Sequence, residues 1–458
     1  MFSKDTLTGQ VVAPWDPGYD QDRLDYNARF DHFYPDYIVY CQAPEDVGRA
    51  IRWARCHALP FRIRSGGHSY EAYSLVNRGL IIDVSALNRV AWDPDSGIAT
   101  IGAGAKLLEV YEALWNAGQV TIPGGSCPTV GIAGLTLGGG FGLISRQFGL
   151  TVDALESLMM YDARGCPVSV SDQCHPDLFW ALRGAGANNF GAVTEFQFRT
   201  VSVADPVTIF ALRWDWSRLR AVTRGFQLWS DPTTLDPRLT GVLTLPSDQQ
   251  HRVSIIGEFL GYEAELTEII APLTAILGLE TATITAMSYI DAVKHFAGVE
   301  GPPGIWLAQG VPEHDTFKNT SAYAYEIFPD GALDVMQDAL SHTPGAACLV
   351  QLGTFGGAIR EVRPDATAFY HRRARSEMQY QAYWSDPSVA DAHIRWVERL
   401  RRAMKPYTVG AYVNYCDSKI RRWPEEYWGG NLERLLSVKR RWDPHRVFRY
   451  PQGLSELI

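Results

Sequence analysis

The stretch that decides the fold runs from Ile122 to Gly142 and reads IPGGSCPTVGIAGLTLGGGFG. It is rich in glycine and contains one cysteine, Cys127. Because glycine has no Cβ, backbone N–H groups in such a stretch can approach a pyrophosphate closely. Neither usual nucleotide motif is present, since there is no GxxxxGK followed by Ser or Thr and no GxGxxG after a strand. Tight turns in a packed core are the alternative interpretation of these glycines.

A second glycine turn precedes this stretch and lies in RIRSGGHSY, residues 62–70. The segment 36–43 has the pattern of a strand, and 44–58 has that of a helix with Pro44 in its first turn. The segment 59–65 follows as another strand, which predicts a βαβ unit that ends in Ser65-Gly66-Gly67. His68 comes directly after this turn.

The rest of the chain predicts two kinds of architecture. We expect strands over 79–87, 97–104 and 191–203, a helix over 105–118 that ends at Gly118, and a hairpin over 155–171. From about 206 to 405, alternating strands mix with helices such as 263–277, which indicates a second, sheet-based domain. The segment 406–458 contains a helix with Leu432, Leu435 and Leu436 at helical spacing, stopped by Pro444.

Composition narrows the classes of function. The 458 residues carry a formal net charge of −9, which predicts a soluble protein and argues against nucleic acid or an anionic membrane as partner. No apolar run is long enough for a membrane helix and no apolar signal core is present, so we predict a cytoplasmic protein. Seven scattered cysteines do not suggest a disulfide framework. Neither a CxxC pair nor HExxH occurs, so we expect no metal site.

Taken singly, the reactive side chains are weak signals. A lone histidine such as His68 is more often structural than functional, and a buried free cysteine such as Cys127 is usually an inert small apolar residue. A nucleophilic Cys127 is possible, but no neighbouring base supports it. Cys174-His175 is an isolated pair and is interpreted as structural.

The order of four motifs is far more specific than any one of them. RIRSGGHSY, GGSCPTVGIAGLTLGGGFG, LFWALRGAGANNFGAVTEFQF and the tail YVNYCD…WGGNLERLLSVKRRWDPHRVF follow one another along the chain. This order resembles the vanillyl-alcohol oxidase superfamily, in its berberine-bridge-enzyme-like branch. The resemblance implies an α+β, two-domain PCMH-type FAD-binding fold. Residues 1–205 and the returning segment 406–458 would form the FAD domain, and 206–405 a substrate domain with an antiparallel sheet covered by helices.

The same resemblance implies how FAD is held. In that family the histidine of GGHS, here His68, bonds to the flavin 8α-methyl, and the cysteine of GxCxxVG, here Cys127, bonds to flavin C6. Asn188 to Gly191 resembles a further cofactor turn of the family. The remaining residues expected at the cofactor are Arg64, Ser65, Gly66, Gly67, Ser69, Gly124, Gly125, Ser126, Val130, Gly131, Gly134, Gly138, Val193 and Asn414.

Alcohol oxidation needs a group that removes the hydroxyl proton. The resemblance assigns this role to a tyrosine of the segment 412–417, with Tyr415 favoured and Tyr412 as the alternative. Tyr70 matches a position near the substrate. A tyrosine with an ordinary pKa near 10 must have that pKa lowered to serve, and a nearby cation would do so. Two packing tyrosines in a strand are the alternative interpretation.

Two positions depart from the sugar-oxidising relatives. Those relatives carry an acidic residue three positions before a Gly-Gly pair, and Gly353 stands there in this chain, so a carboxylate that tunes the base is missing. Three positions after the pair lies Arg360, followed by Glu361. We expect Arg360 either to face the active site, where it would bind substrate and lower the tyrosine pKa, or to face solvent beside Glu361.

The resulting prediction is an FAD-linked oxidase whose flavin is attached twice, acting on a secondary alcohol or lactol with O₂ as acceptor. Val130 lies at the family's oxygen-gating position, where valine accompanies oxidases, so hydrogen peroxide is the expected product. Oxidation of a C–N bond or oxidative cyclisation of an amine or phenol is the second hypothesis. A flavin-binding protein without catalysis is the third. The substrate and the oligomeric state are not predicted.

Overall fold

The computed structural model describes residues 8–250, 252–278, 280–299 and 315–458. A small sheet opens the chain, and its outer strand is antiparallel while the other pairings are parallel. Its strands, in spatial order, are Val11–Val12, Tyr37–Tyr40, Leu80–Asp83 and Phe61–Arg64. Helix Pro44–Cys56 joins two of them and buries Val47, Ile51 and Ala54. The predicted βαβ unit is therefore confirmed.

An antiparallel second sheet follows. Its strands, in spatial order, are Val90–Asp93, Ile98–Gly102, Ala192–Arg199, Leu155–Tyr161 and Pro167–Ser171. The hairpin predicted over 155–171 is confirmed. The strand predicted over 191–203 is interrupted after Arg199, and Val201–Ser202 pairs with Val120–Thr121 instead.

One helix end differs from the prediction. Helix Leu107–Gly118 includes Gly118 as its last residue, and the left-handed cap is Gln119 with φ of 54°. Glycine is needed at 118 for another reason, because a Cβ there would lie 2.2 Å from the ring of Trp92. Glycine is therefore required at 118 by this close side-chain contact, and it does not form the cap that ends the helix.

A seven-stranded antiparallel sheet occupies the middle of the chain. Its strands, in spatial order, are Thr281–Met287, Val207–Asp215, Arg252–Phe259, Leu239–Pro246, Cys348–Thr354, Ser376–Tyr383 and Phe317–Ala324. One face packs against helices Leu219–Trp229, Glu263–Leu277, Asp330–Ser341 and Ala390–Met404.

The two faces of this sheet differ in polarity. Leu243, Val350 and Met378 alternate along their strands with residues of the opposite face and belong to the apolar core under the helices. The intervening residues, such as Gln351 and Gln379, line a cavity. This period of two is the geometry of a strand whose sides meet different surroundings.

The C-terminal segment returns to the first part of the chain. It forms helices Trp423–Trp428 and Leu432–Trp442, and the second of these buries Leu435 and Leu436 in the same core as Trp180. The remaining described helices are Tyr19–Asp22, Ile132–Leu137, Ser145–Phe148, Pro176–Leu182, Tyr289–Ala297 and Ala358–Glu361. Within the described ranges, no helix has the length and apolar character needed to cross a bilayer.

Candidate functional site

A cavity of about 630 Å³ lies between the two glycine turns, the polar face of the large sheet and the C-terminal segment. Most of the residues predicted at the site meet here. The predicted residues on its wall are Ser65, Gly66, Gly67, His68, Ser69, Tyr70, Gly125, Ser126, Cys127, Val130, Gly131, Gly134, Val193, Tyr412, Asn414 and Tyr415. The volume is in the range of small-molecule and cofactor sites.

His68 and Cys127 are brought together by one hydroxyl group. Thr129 Oγ1 lies 2.8 Å from His68 Nε2, although the two residues are 61 positions apart. The same Thr129 side chain hydrogen-bonds to the Cys127 thiol. Tyr26 stacks on the imidazole with ring centroids 4.1 Å apart, which fixes the ring against the cavity wall.

The surroundings of these two residues set their protonation. Burial, helped by the positive charge of Lys106, lowers the pKa of His68 to about 3, so the imidazole is neutral at neutral pH. Burial raises the pKa of the Cys127 thiol, against the hydrogen bonds from Thr129 and Val130. A neutral imidazole keeps one lone pair free for bond formation.

Several glycines serve the packing of the chain on itself. A Cβ on Gly66 would lie 2.3 Å from the backbone nitrogen of Gly131, so the two glycine turns touch backbone to backbone. A Cβ on Gly138 would meet the side chain of Asn414 at 2.1 Å. Gly134 differs, because a Cβ there would meet no protein atom within 4 Å, and it faces the cavity.

Four predicted residues lie off the cavity wall: Arg64, Gly124, Gly138 and Arg360. Arg64 is buried behind the first glycine turn, where its Nε donates to Asp83 at 2.6 Å. A Cβ on Gly124 would lie 2.5 Å from the Tyr111 hydroxyl. Arg64 and Gly124 therefore pack behind the two glycine turns and not on the cavity wall.

Arg360 differs from the active-site expectation. It lies on the short helix Ala358–Glu361, and its Nη1 donates to the backbone oxygen of Arg373 at 3.0 Å. Among the described residues that line the cavity there is neither a lysine nor an arginine. The cation expected to lower a tyrosine pKa is therefore not provided by Arg360.

Two tyrosine rings stack at the cavity wall. The rings of Tyr70 and Tyr415 are 5.2 Å apart and inclined by only 5°. Tyr70 donates its hydroxyl to Gln379 Oε1 at 3.0 Å. Burial raises the pKa of both phenols well above the ordinary value, and for Tyr415 the neighbouring Tyr70 and Glu377 add to the effect. The expected lowering is thus reversed, because burial without a cation favours the neutral phenol.

Tyr412 has a different role from Tyr415. Its side chain is buried, and its hydroxyl accepts hydrogen bonds from the Gly140 backbone N–H and from Asn414 Nδ2, each at 2.9 Å. The phenol therefore ties the C-terminal segment to the glycine stretch. Of the two candidates, Tyr415 has the ring stacked on Tyr70 and is the better placed to meet a substrate.

The tyrosine pair is held by a buried ion cluster next to it in sequence. Lys318 Nζ lies 2.6 Å from Glu71 and 2.5 Å from Asp417, and Arg29 also pairs with Glu71. Glu71 follows Tyr70, and Asp417 follows Tyr415 by two positions. This cluster, the Lys318 clamp, joins three distant parts of the chain and so fixes the relative position of the two rings.

The sheet forms a polar wall opposite these rings. A row of side-chain hydrogen bonds crosses four strands: Asn319 donates to Tyr383, Tyr383 to Gln381, Gln381 to Gln351, and Gln351 to Thr244. This row keeps the amides in defined orientations. Sequence reasoning did not find these residues, and the signal that could have found them is the alternation of polar and apolar residues along 376–383.

Three polar atoms on this wall have no hydrogen-bond partner among the described residues: Thr240 Oγ1, Asn319 Oδ1 and Glu377 Oε2. Buried polar atoms are normally satisfied, so water or a bound ligand would have to supply the missing hydrogen bonds here. Glu377 is also the only described lining residue with an ionisable carboxyl group. It was not predicted from the sequence.

Family models match at both ends of the chain. The FAD binding domain matches residues 35–171, and the model "Berberine and berberine like" matches 411–455. An uncharacterized FAD-linked oxidoreductase of Bacillus subtilis is 38% identical over 100% of this chain and 99% of its own length. The chain belongs to the berberine-bridge-enzyme-like FAD-linked oxidoreductases. The resemblance stated from the motifs is confirmed, and the protein is an enzyme that uses FAD.

Other members show how far the likeness extends. A chitooligosaccharide oxidase of Gibberella zeae is 29% identical over 95% of this chain and 90% of its own. The solved structure of BBE-like 1 from Physcomitrella patens superimposes with a TM-score of 0.91 at 31% identity, over 98% of this chain and 97% of that one. The predicted α+β fold is confirmed.

The cavity suits FAD on the structure's own terms. Two glycine turns line it with backbone that carries no side chains, and Gly134 leaves open space beside it. The nucleophilic side chains of His68 and Cys127 both contact the hydroxyl group of Thr129. On the same side of the cavity, the Asn188 side chain accepts a hydrogen bond from the backbone N–H of Ile63 and donates one to its backbone oxygen. The flavin would be held by His68, Cys127 and the two turns, between the FAD-binding region and the polar wall.

Proposed function

We propose that this protein is an FAD-dependent oxidase with the flavin attached through His68 and Cys127, which oxidises a secondary alcohol or lactol. The single observation that carries the proposal is the contact of both residues with Thr129 on a cavity that also reaches the polar sheet. Flavin bound there supplies an acceptor for a hydride and passes the electrons to O₂, which yields hydrogen peroxide.

The polar wall supports a substrate with many hydroxyl groups. Its amides are fixed by the row of hydrogen bonds, and three of its buried polar atoms have no hydrogen-bond partner in the part of the chain that the structure describes. Hydroxyl groups donate and accept, so a sugar or a polyhydroxylated natural product would satisfy these atoms. An apolar substrate would leave them unpaired at a cost of about 1–3 kcal/mol each.

The stacked rings of Tyr70 and Tyr415 support a position for the reacting carbon of the substrate beside them. Tyr415 stacks on Tyr70, and Gln379 fixes the Tyr70 hydroxyl. We propose that the Tyr415 hydroxyl contacts the reacting hydroxyl of the substrate and takes its proton. Val130 lies on the same cavity, where its small side chain would leave O₂ a path to the flavin.

Oxidation of an amine or phenol, with C–N oxidation or ring closure, is the second candidate. The observation that favours it is the aromatic cluster of Tyr26, Tyr70, Phe317 and Tyr383, which lines the cavity and would stack on an aromatic substrate. A neutral amine needs no strong base, so Tyr415→Phe would slow such a reaction little. It would slow alcohol oxidation by about 10²-fold or more.

Covalent attachment is tested by acid precipitation and intact mass. The wild-type pellet should stay yellow, and the protein should carry the mass of one FAD. His68→Ala and Cys127→Ala should each keep the flavin on one bond, and the double variant should release it to the supernatant. His342→Ala and Cys56→Ala, both at exposed positions, are the controls. Flavin that washes out of the wild-type pellet would refute the double attachment.

Substrate class is tested by peroxide release. A panel of N-acetylchitobiose, cellobiose, xylobiose and glucose represents lactols, and a phenolic benzylisoquinoline amine represents the second candidate. Peroxide formed with a sugar, together with the sugar acid or lactone, supports the first proposal. Peroxide formed with the amine alone would move the assignment to the second candidate.

A further inference from the structure

A second, much smaller cavity borders the turn that precedes Cys127. Its volume is about 20 Å³, which is enough for one water molecule. The turn at residues 124–126 lines it together with the buried side chains of Tyr111, Glu258 and Tyr289. Two residues of the same turn also line the large cavity, so the turn has one side on each space.

The 124–126 turn is held by few hydrogen bonds. Within the described ranges it forms a single one to the rest of the chain, which the Tyr111 hydroxyl donates to the backbone oxygen of Gly125 at 2.8 Å. Gly125 precedes Cys127 by two positions. A group that fixes the Tyr111 hydroxyl therefore also fixes the backbone next to the thiol.

Glu258 brings a carboxyl group to this small cavity from the seven-stranded sheet. It lies in strand Arg252–Phe259, exposes 1% of its surface, and its Oε1 has no hydrogen-bond partner among the described residues. Tyr289 begins helix Tyr289–Ala297, and its hydroxyl lies 3.2 Å from Thr121 Oγ1. Together with Tyr111, three buried polar groups from three elements meet at a space of the size of a water molecule. Buried water typically makes about three hydrogen bonds.

We propose that the small cavity binds one water molecule, and that Glu258 positions Cys127 for its bond to the flavin through this water and Tyr111. The attachment belongs to the proposed function, on which this proposal rests. The water accepts a hydrogen bond from the Glu258 carboxyl group and donates to the hydroxyl oxygens of Tyr111 and Tyr289. The carboxyl group is a donor at neutral pH because burial raises the pKa of Glu258 to about 8.

Formation of the bond at Cys127 is the step that this arrangement affects. The S–H bond of the thiol and the C6–H bond of the flavin break, and an S–C bond forms. Two protons leave, and the electron pair of the C6–H bond reduces the flavin, which the O₂ of the proposed function reoxidises. A displacement of about 1 Å can slow such a reaction by roughly 10²-fold, so the position of the turn matters.

A high-resolution crystal structure of the holoprotein tests the water site directly. We expect a water oxygen within about 3 Å of the side-chain oxygens of Glu258, Tyr111 and Tyr289. Glu258→Gln should retain this water because the amide also donates, whereas Glu258→Leu should lose it. Wild-type density without a water molecule in the small cavity would overturn the proposal.

Flavin attachment in two backgrounds tests the positioning role. Newly synthesised protein is sampled at intervals after induction, acid-precipitated, and measured by intact mass. With His68→Ala, where Cys127 alone holds the flavin, adding Glu258→Leu should slow attachment by about 10- to 10²-fold, and Glu258→Gln in its place should restore the rate. With Cys127→Ala, Glu258→Leu should leave attachment at His68 unchanged. Glu268→Leu, at an exposed position of helix Glu263–Leu277, is the control.

Tyr111→Phe provides a second variant on the same chain of hydrogen bonds. In the His68→Ala background it should slow attachment to a similar extent, and combining it with Glu258→Leu should add little, because both break one link. Fully additive slowing would contradict that link. Equal slowing of attachment at His68 and at Cys127 by Glu258→Leu, or slowing at neither, would overturn the positioning role.

The proposed function fails in a different way. Flavin that washes out of the wild-type pellet would refute the double attachment and, with it, the positioning role of Glu258. The water site would then stand or fall on the crystal structure alone, because its hydrogen bonds need no flavin.

Discussion

Replacing Glu258 by Gln should remove about half of the stability that the holoprotein loses as the pH rises from about 6.5 to 8. Glu258 lies in the central strand Arg252–Phe259 with 1% of its surface exposed, and its Oε1 has no partner among the described residues. Burial raises its pKa from 4.5 to about 8. Glu377 shows the same shift from the same cause.

The sign follows from the direction of these shifts. In the folded protein each carboxyl keeps its proton to about pH 8, whereas in the unfolded chain it loses the proton near 4.5, so rising pH favours unfolding across this interval. Between about pH 6.5 and 8 each group costs roughly 1 to 2 kcal/mol, and the pair about 3 kcal/mol. Asp25, with a pKa raised to about 6, has mostly titrated below this window.

Histidines do not obscure the effect. Burial lowers the pKa of His371 to about 4. This residue therefore stabilises the fold increasingly as the pH rises towards about 6.5, where the unfolded imidazole has lost its proton, and little above it. Three strand spacings of about 4.8 Å separate Glu258 from Glu377, so their contributions should add.

The assay is urea unfolding followed by tryptophan fluorescence at the two pH values. The midpoint of the wild type should fall as the pH rises. Glu258→Gln and Glu377→Gln should each show about half of that fall, and the double variant almost none. Glu268→Gln, exposed on helix Glu263–Leu277, should behave as wild type. A Glu258→Gln protein with the full wild-type fall would refute the reasoning.

Three further outcomes follow from the contacts. Lys318→Met leaves the buried Asp417 carboxylate without its cation, while Glu71 keeps Arg29, and it should cost about 3–5 kcal/mol, read as a lower urea midpoint. An unchanged midpoint would contradict the role of the Lys318 clamp. Gly66→Ala should lower both the urea midpoint and the flavin content, whereas Gly134→Ala should lower the flavin content alone. If the two variants changed both measurements equally, Gly134 would not be the glycine that makes room for the flavin. Tyr412→Phe should cost about 1–3 kcal/mol of stability, measured by unfolding, and Tyr415→Phe should cost less stability but more turnover.

Local patterns predicted those parts of the fold that local chemistry determines. Helix Pro44–Cys56 was predictable because its apolar residues repeat at helical spacing and proline opens its first turn. The turn before His68 was predictable because Gly67 adopts a positive φ that glycine accepts readily. The end of helix Leu107–Gly118 was not predictable, because Gly118 is required by the close contact with the ring of Trp92 and not by the helix end.

Site residues that belong to a sequence motif were predictable, whereas residues brought together by strand pairing were not. His68 and Cys127 stand in motifs, but their shared contact with Thr129 is visible only after folding. The pairing of Gly353 with Glu377 depends on the register of two strands, and the sequence separately shows only a missing carboxylate. Arg360 was placed by position relative to a Gly-Gly pair, yet its guanidinium group donates to the backbone oxygen of Arg373 and the residue does not line the cavity.

The return of the last segment has a consequence for how the enzyme is made. Residues 412–416 and Tyr450 form part of the cavity wall, and the Lys318 clamp needs Asp417. Synthesis runs from the N-terminus, and domains fold as they emerge. A ribosome-bound chain that has already made both large sheets therefore still has an open cavity. Loading of the cofactor is therefore completed only after residues 412–450 have left the ribosome, and a premature stop before residue 412 should yield sheets and helices without an enclosed cavity.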